Sequence, residues 1–326
     1  MSTTLKDVAK EAGITVTTVS RVLNNRGPIS EKTRKKVYGA IKKLNYSPNE
    51  AARSLAKKYS NIIGVIVPSV NNPFFAECAE YLEKFAYEKK YKIMLCNSYH
   101  QKSKEIEYIE MLKANKVAGI FISSRTPGIG KYLSSNLPIV SFERIIDDSI
   151  SSVSCDNYNG GVLATTRLID DGCKYLINIG GISGLSMLAD ERTRAFEDIC
   201  SQRGIAHKVY ETHEKQFQTM DYTEFLKKII SENPLVDGIF ASSDIIAAQM
   251  IKVCSSLGYK IPTDLKIIGY DDVQIASLLA PGITTIHQPL DQMCRAAINT
   301  IIDSCEGSTT PTRITCSVKL IIRETA

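Results

Sequence analysis

"TLKDVAKEAGITVTTVSRVLN" (residues 4–24) holds two short helices and the tight turn between them. Leu5, Val8, Ala9 and Ala12 recur at i, i+3, i+4 and i+7, which makes one apolar stripe on a helix. Thr4 with Asp7 gives a capping-box-like start, and Gly13 gives the stop. After a short turn, Thr15 caps "VTTVSRVLN", whose inward face is Val19, Val22 and Leu23. The opposite face, Val16, Thr17, Ser20, Arg21 and Asn24, is small, hydroxylated and carries one Arg.

The next stretch, "SEKTRKKVYGAIKKLN" (30–45), supplies a third helix with Val37, Ala40, Ile41 and Leu44 inward and a dense Lys/Arg face outward. Two short helices around a Gly turn, backed by a third, form the helix-turn-helix pattern. Its second helix enters the major groove, so the exposed residues have to be short and able to hydrogen-bond. Thr15, Thr18 and Ser20 suit phosphates, Val16 and Thr17 suit thymine methyls, and Arg21 suits guanine. A small helical bundle with a polar surface is the alternative. Charge weighs against it: residues 1–60 hold thirteen Lys and Arg against four Asp and Glu, a net +9, while the whole chain is +5 and the remainder therefore −4. A basic head on a mildly acidic body points to a polyanion partner.

"NYSPNEAARSLAKKYS" (45–60) reads as a capped helix that is too short to stand alone. Ser47 and Glu50 form a capping box, Pro48 fits the first helical position, and the apolar face is Ala51, Ala52, Leu55 and Ala56. Either it packs on a symmetry mate and on DNA, with Leu55 as a wedge between base steps, or it is a linker helix that docks on the body through Leu55.

Residues 4–58, through "TLKDVAKEAGITVTTVSRVLN" and "NYSPNEAARSLA", resemble the DNA-binding head of the lactose/galactose-repressor family, and the likeness continues more thinly to the end of the chain. The resemblance implies that Val16, Thr17 and Arg21 read bases. It implies that Thr15, Thr18, Ser20, Asn24, Ser30 and Asn49 meet the DNA backbone, with Thr4 counted among the DNA-binding residues. It also implies a hinge helix over 47–56 that orders on operator DNA, with Ala52 allowing close helix approach and Leu55 entering the minor groove.

From residue 61 the rhythm changes to short apolar runs separated by amphipathic helices. Runs at 62–67, 92–97, 117–122, 138–142, 175–180, 236–241, 265–270 and 284–288 predict parallel sheets covered on both faces. Two such sets indicate two lobes, and the pattern resembles the type I periplasmic-binding-protein-like core of the same family, with ligand in the cleft between lobes. The expected division is a helix-turn-helix domain at 1–46, a hinge helix and linker at 47–60, and an effector-binding and dimerisation domain at 61–326. Within the last, lobe 1 is about 61–157 and 289–317, and lobe 2 about 158–288 and 318–326.

Open parallel sheets bind ligands at the carboxyl ends of their strands. That rule selects Phe74 as an apolar plate, Glu143 with Arg144 after "PIVSF", Arg192 after the Gly-rich "IGGISGLS" loop, Ser243 with Asp244 after "GIFA", and Asp271 in "IIGYDD". Phe75 is the other candidate plate, a residue type found more often in a core than against a ligand. Arg and Asp bind hydroxyl pairs two at a time, as sugars require. In family terms Arg192 and Asp271 match recurrent effector contacts, and Phe74 a pocket aromatic. Ser186 replaces the Arg of purine-responsive relatives, which favours carbohydrate, as a sugar or sugar phosphate, over a nucleobase.

No dinucleotide, Walker A or nucleophile-elbow motif is found, so no catalysis and no cofactor are expected. Nine dispersed Cys without a C-x-x-C pair, and four His, predict reduced thiols and no metal site. The N-terminus lacks a signal peptide and no run spans a membrane, so the cytoplasm is expected. Half-site recognition and the absence of a terminal heptad run predict a homodimer. The expected function is thus a ligand-controlled, sequence-specific repressor. The alternative is a catabolite-control-type global regulator modulated by a phosphocarrier-type protein, and a ligand-processing enzyme with a borrowed head is the third reading.

Overall fold

The structure, a computed structural model, describes residues 3–23, 27–46, 59–133, 137–182, 185–307 and 310–326. The chain divides into two units, residues 1–60 and 61–326. Asn24, Asn49, Ala52 and Leu55, with the whole expected hinge helix 47–56, lie outside the described residues.

In the first unit, α1 (Leu5–Ala12), α2 (Val16–Leu23) and α3 (Glu31–Lys43) enclose Val8, Ala9, Ala12, Val19, Val22, Val37 and Ala40. The local signals act as their chemistry requires. The Asp7 carboxylate accepts from the Thr4 amide at 2.8 Å, which closes the capping box, and Gly13 ends α1 at φ 64°, where a side chain would be strained. Lys43 of α3 reaches Glu11 of α1 at 2.6 Å.

The second unit is built, among the described residues, on two six-stranded sheets. The first contains β1 (Ile62–Val67), β2 (Lys92–Asn97), β3 (Gly119–Ile122), β4 (Ile139–Phe142), β5 (Ser151–Cys155) and β11 (Arg313–Cys316), in the order β11-β5-β4-β3-β1-β2, all parallel. The second contains β6 (Tyr175–Ile182), β7 (Ala206–Thr212), β8 (Gly238–Ala241), β9 (Lys266–Asp271), β10 (Thr284–His287) and β12 (Lys319–Ile321), in the order β12-β10-β9-β8-β6-β7. Only β12 runs antiparallel, against β10. Central strands such as β3 and β8 are buried along their whole length, which is why they read as unbroken apolar runs.

The chain passes between the sheets three times. It crosses through helix Asn157–Asp170, returns through helix Leu290–Cys305, and crosses again between β11 and β12. Helix Leu290–Cys305 packs on helix Pro73–Glu88, where the Arg295 guanidinium lies 3.9 Å from the Phe85 ring centroid and 3.1 Å from Glu88.

Four strands, β5, β7, β11 and β12, lie outside the apolar runs of the sequence, and the first two show why. β5, "SSVSC", is fully buried yet rich in Ser; its polar groups are satisfied laterally, as where Ser151 Oγ accepts from the Thr312 amide at 3.1 Å. β7 is an exposed edge with a charged alternation, so it carries no apolar run. Among the described residues no helix is long and apolar enough to cross a membrane.

Candidate functional site

On the head, Val16, Thr17 and Arg21 are exposed on α2, and Ser20 is half-buried beside them. Their common orientation follows from burying Val19 and Val22 on the other side. Thr15 Oγ1 accepts from the Thr18 amide at 3.2 Å and lies 2.9 Å from the Thr18 hydroxyl. Ser30 caps α3 by accepting from the Thr33 amide at 3.3 Å, as Thr4 caps α1. Thr4, Thr15 and Ser30 therefore fix helix starts, the ends whose amide dipoles favour phosphate.

In the second unit, Phe74, Glu143, Arg192, Ser243 and Asp271, which come from five separate segments, line one cavity of about 120 Å³. Arg192 lines it and is buried. Its Nε donates to Asn157 Oδ1 at 2.6 Å, its Nη1 to the Ser242 carbonyl at 3.0 Å, and its Nη2 lies 3.9 Å from Glu143 Oε2. The guanidinium also lies over the Tyr270 ring, 3.5 Å from the centroid. Glu143 accepts from the Cys155 amide and from Asn157 Nδ2, both at 2.7 Å. This one network fixes both polar side chains before any ligand arrives.

Asp271 accepts from Gln288 Nε2 at 2.7 Å through Oδ1; among the described residues Oδ2 accepts no hydrogen bond. Burial pushes its carboxyl up to about 7, against the opposing pull of Arg192 and Gln288. Glu143, Asp271 and Asp272 all have left-handed backbones, with φ of 56°, 110° and 61°. Each such non-Gly residue costs about 1–3 kcal/mol, and the strain falls where the strands open into the cavity. Asp272 is held by His287 at 2.9 Å and Arg323 at 2.6 Å, which anchors the turn from behind.

Several residues depart from the sequence reading. Phe75, weighed as core or plate, is both: it is buried and lines the cavity, edge-on to Phe74 with centroids 5.2 Å apart. Arg144 turns away and donates to the Ser124 and Thr126 carbonyls at 3.0 Å. Asp244 is fully buried, accepting from Thr285 Oγ1 at 2.6 Å and from the Val273 amide at 2.9 Å. The Gly-rich stretch is strand as far as Ile182; Gly181 and Met187 line the cavity, and Ser186 is exposed and does not. The sequence reading missed Asn157, Tyr270 and Gln288. Asn157 follows the unrecognised β5, so the strand-end rule had no strand to act on.

Helix Asn157–Asp170 meets helix Glu191–Arg203 through Gly161, where an added Cβ would lie 2.5 Å from the Arg192 carbonyl oxygen and 2.8 Å from Ala195 Cβ. Backbone cannot yield there. Gly161→Ala is expected to cost about 1–3 kcal/mol and to displace Arg192, read as a lower melting temperature with weakened ligand-induced stabilisation.

Among the described residues no group of three or more His, Cys, Asp or Glu is placed to hold a metal ion. All nine Cys are free, and burial pushes Cys200 and Cys254 up to about 12, far from thiolate reactivity. The arrangement is one for binding. A guanidinium, a carboxylate and aromatic walls around a small cavity suit a ligand with paired hydroxyls on an apolar ring face.

Residues 4–49 match the model of the lacI family of bacterial regulatory proteins, and residues 165–326 that of the periplasmic binding protein-like domain. The ribose operon repressor of Halalkalibacterium halodurans is 35% identical, with 99% of this chain and 97% of that protein covered. The sucrose operon repressor of Streptococcus mutans is 38% identical, with 94% of each covered. Among solved structures, a periplasmic binding protein/LacI transcriptional regulator from Alkaliphilus metalliredigens, complexed with D-xylulofuranose, superposes with a TM-score of 0.73 at 33% identity, covering 82% of this chain and 99% of that one.

Proposed function

The chain belongs to the lacI family of bacterial regulatory proteins, and on that premise we propose that it is a cytoplasmic, dimeric repressor that binds a palindromic operator and is controlled by a carbohydrate. The head reads DNA through Val16, Thr17 and Arg21 in the major groove. The sugar binds between the two sheets of the body, against Phe74, with its hydroxyls on Arg192, Asp271, Glu143 and Ser243. The single observation that supports this effector most strongly is the convergence of those five side chains on one cavity, with Arg192 already oriented by Asn157 and Tyr270. Both relatives named above are repressors of sugar operons.

Control follows from differential binding. A sugar that favours one arrangement of the two sheets shifts the population able to order residues 47–56 on DNA. A panel of sugars in thermal-shift and operator-binding assays tests the reading. One sugar should raise the melting temperature and change operator affinity. A nucleobase that does both in place of every sugar sinks the carbohydrate assignment. A phosphocarrier protein that tightens operator binding without sugar favours the partner-controlled reading.

Arg21→Ala is expected to weaken operator binding by about 1–3 kcal/mol and to relax preference at one base position. Its exposure on α2 leaves the melting temperature of the head unchanged. Competition binding against operators varied one base at a time checks both.

A further inference from the structure

The chain links the two sheets along one edge of each. Its crossovers leave from β5, β10 and β11, and the last of them enters β12, so the links gather on the β11–β5 side of the first sheet and the β12–β10 side of the second. The opposite edges are β2 and β7, roughly 19–24 Å away at about 4.8 Å per strand. Opening about the crossovers moves those edges furthest, so a contact between them has the longest lever on closure.

Such a contact is present. Phe217, on helix Glu214–Thr219 after β7, pairs edge-to-face with His100, with ring centroids 4.9 Å apart, and the Arg125 guanidinium lies 4.7 Å from the centroid of the same ring. His100 follows β2 and Arg125 follows β3, so both are carried by the first sheet and Phe217 by the second. Burial, with the Arg125 guanidinium beside it and against the pull of Glu214, holds the His100 imidazole below its usual range, which keeps it neutral next to that cation at pH 7. Cation–π attraction is strongest where water is kept away.

The turn that presents His100 is fixed from its own side. Tyr99 and His100 both have left-handed backbones, at φ 53° and 59°, a conformation that costs a non-Gly residue free energy. Asn97 Oδ1 accepts from the Tyr99 amide at 3.3 Å, the Pro68 carbonyl from the His100 amide at 3.2 Å, and the Ser98 carbonyl from the Gln101 amide at 2.9 Å. A strained turn that aims one ring across a cleft points to a role in closure. Phe217 and Arg125 also line the cavity around Arg192, and with His100 they line an adjoining one of about 260 Å³, so the three side chains stand where the two cavities meet.

We propose that Phe217, His100 and Arg125 form a clasp that holds the two sheets closed before any effector binds, and that its strength sets how readily the cleft admits one. The second half rests on the ligand-controlled reading above; the first does not. An effector that fits the closed cleft meets a body already shifted towards closure. A weaker clasp leaves a larger open population through which it enters and leaves.

Distances between two spin labels test the clasp in the full-length protein without sugar. The labels sit on keto amino acids in place of Glu107 and Lys227, which are exposed and lie outside the cleft, one beside each sheet. Dilution with unlabelled copies confines the reading to distances within one chain. His100→Ala keeps the backbone cost and removes the ring, Arg125→Met keeps the stem, and His100→Phe keeps an aromatic edge for Phe217. Melting curves verify folding. Wild type should give one short distance. His100→Ala and Arg125→Met should each raise the ratio of open to closed by about tenfold, seen as a second, longer distance, and His100→Phe should restore the single one. A sugar that binds should associate about tenfold faster with either loosened variant. A wild type already spread over long distances, or variants that match a closed wild type, overturns the clasp. Longer distances with unchanged association overturn the threshold alone. If no sugar binds, the carbohydrate reading fails, and the distances still decide the clasp.

Discussion

Arg192→Leu should be the most damaging single substitution in the cleft. It should lower the stability of the body by roughly 3–5 kcal/mol, about 10 °C in melting temperature for a unit of this size, and abolish any sugar-induced shift. The guanidinium holds Asn157, the Ser242 carbonyl and the Tyr270 ring at once, and it is the cation closest to Glu143. A leucine fills part of the volume and leaves two carboxylates without their shared counter-charge. Arg192→Lys separates the two losses. Lysine restores charge but cannot reproduce the planar fork that lies on Tyr270 while bonding Asn157 and Ser242. It should recover about half of the stability and little of the sugar response. Melting curves with and without sugar distinguish these outcomes. A Leu variant that melts with the wild type would show that the network adds nothing to the fold.

The same network shows what a sequence can and cannot reveal. Strands such as β1 and β3 announce themselves because both faces are covered, so no polar residue interrupts them. The candidate residues could be picked because such strands present their carboxyl ends to a ligand, and Glu143, Ser243 and Asp271 stand just there. Asn157 could not be picked, since it depends on β5, a Ser-rich buried strand whose Ser151 side chain finds its partner, Thr312, far along the chain. Tyr270 reads as an ordinary core aromatic; its role appears only when Arg192, far away along the chain, is brought over its ring. Charge patterning served the head better. There the net +9 and the short, hydroxylated face of α2 are properties of contiguous sequence.

Asp271→Asn is expected to raise the apo melting temperature at pH 8 while removing sugar binding. Burial holds the Asp271 carboxyl at about 7 in the folded protein, well above the ordinary range of a carboxylate. The sign follows from linkage. Below about pH 4 the group is neutral in both states and costs nothing. As pH rises towards 7 the unfolded chain ionises first, so stability falls, and the loss is complete once the folded form ionises as well. An amide never ionises and escapes that loss. The gain over wild type should therefore be near zero at pH 4 and reach roughly 2–3 kcal/mol by pH 8, allowing for solvent access through the cavity. Sugar binding should run the opposite way, because a hydroxyl pair needs the ionised carboxylate as acceptor. Affinity should strengthen from pH 5 to about 7 and then level off, and the Asn variant should show neither the affinity nor the slope. Melting curves of both proteins between pH 4 and 8 carry the test, since acid effects common to both cancel in the difference. A variant destabilised equally at every pH would mean that Asp271 is ionised throughout and held by Arg192 and Gln288. On the opposite result, the cleft keeps a carboxylate that weakens the fold without ligand, which is the differential a ligand needs if it is to shift a population.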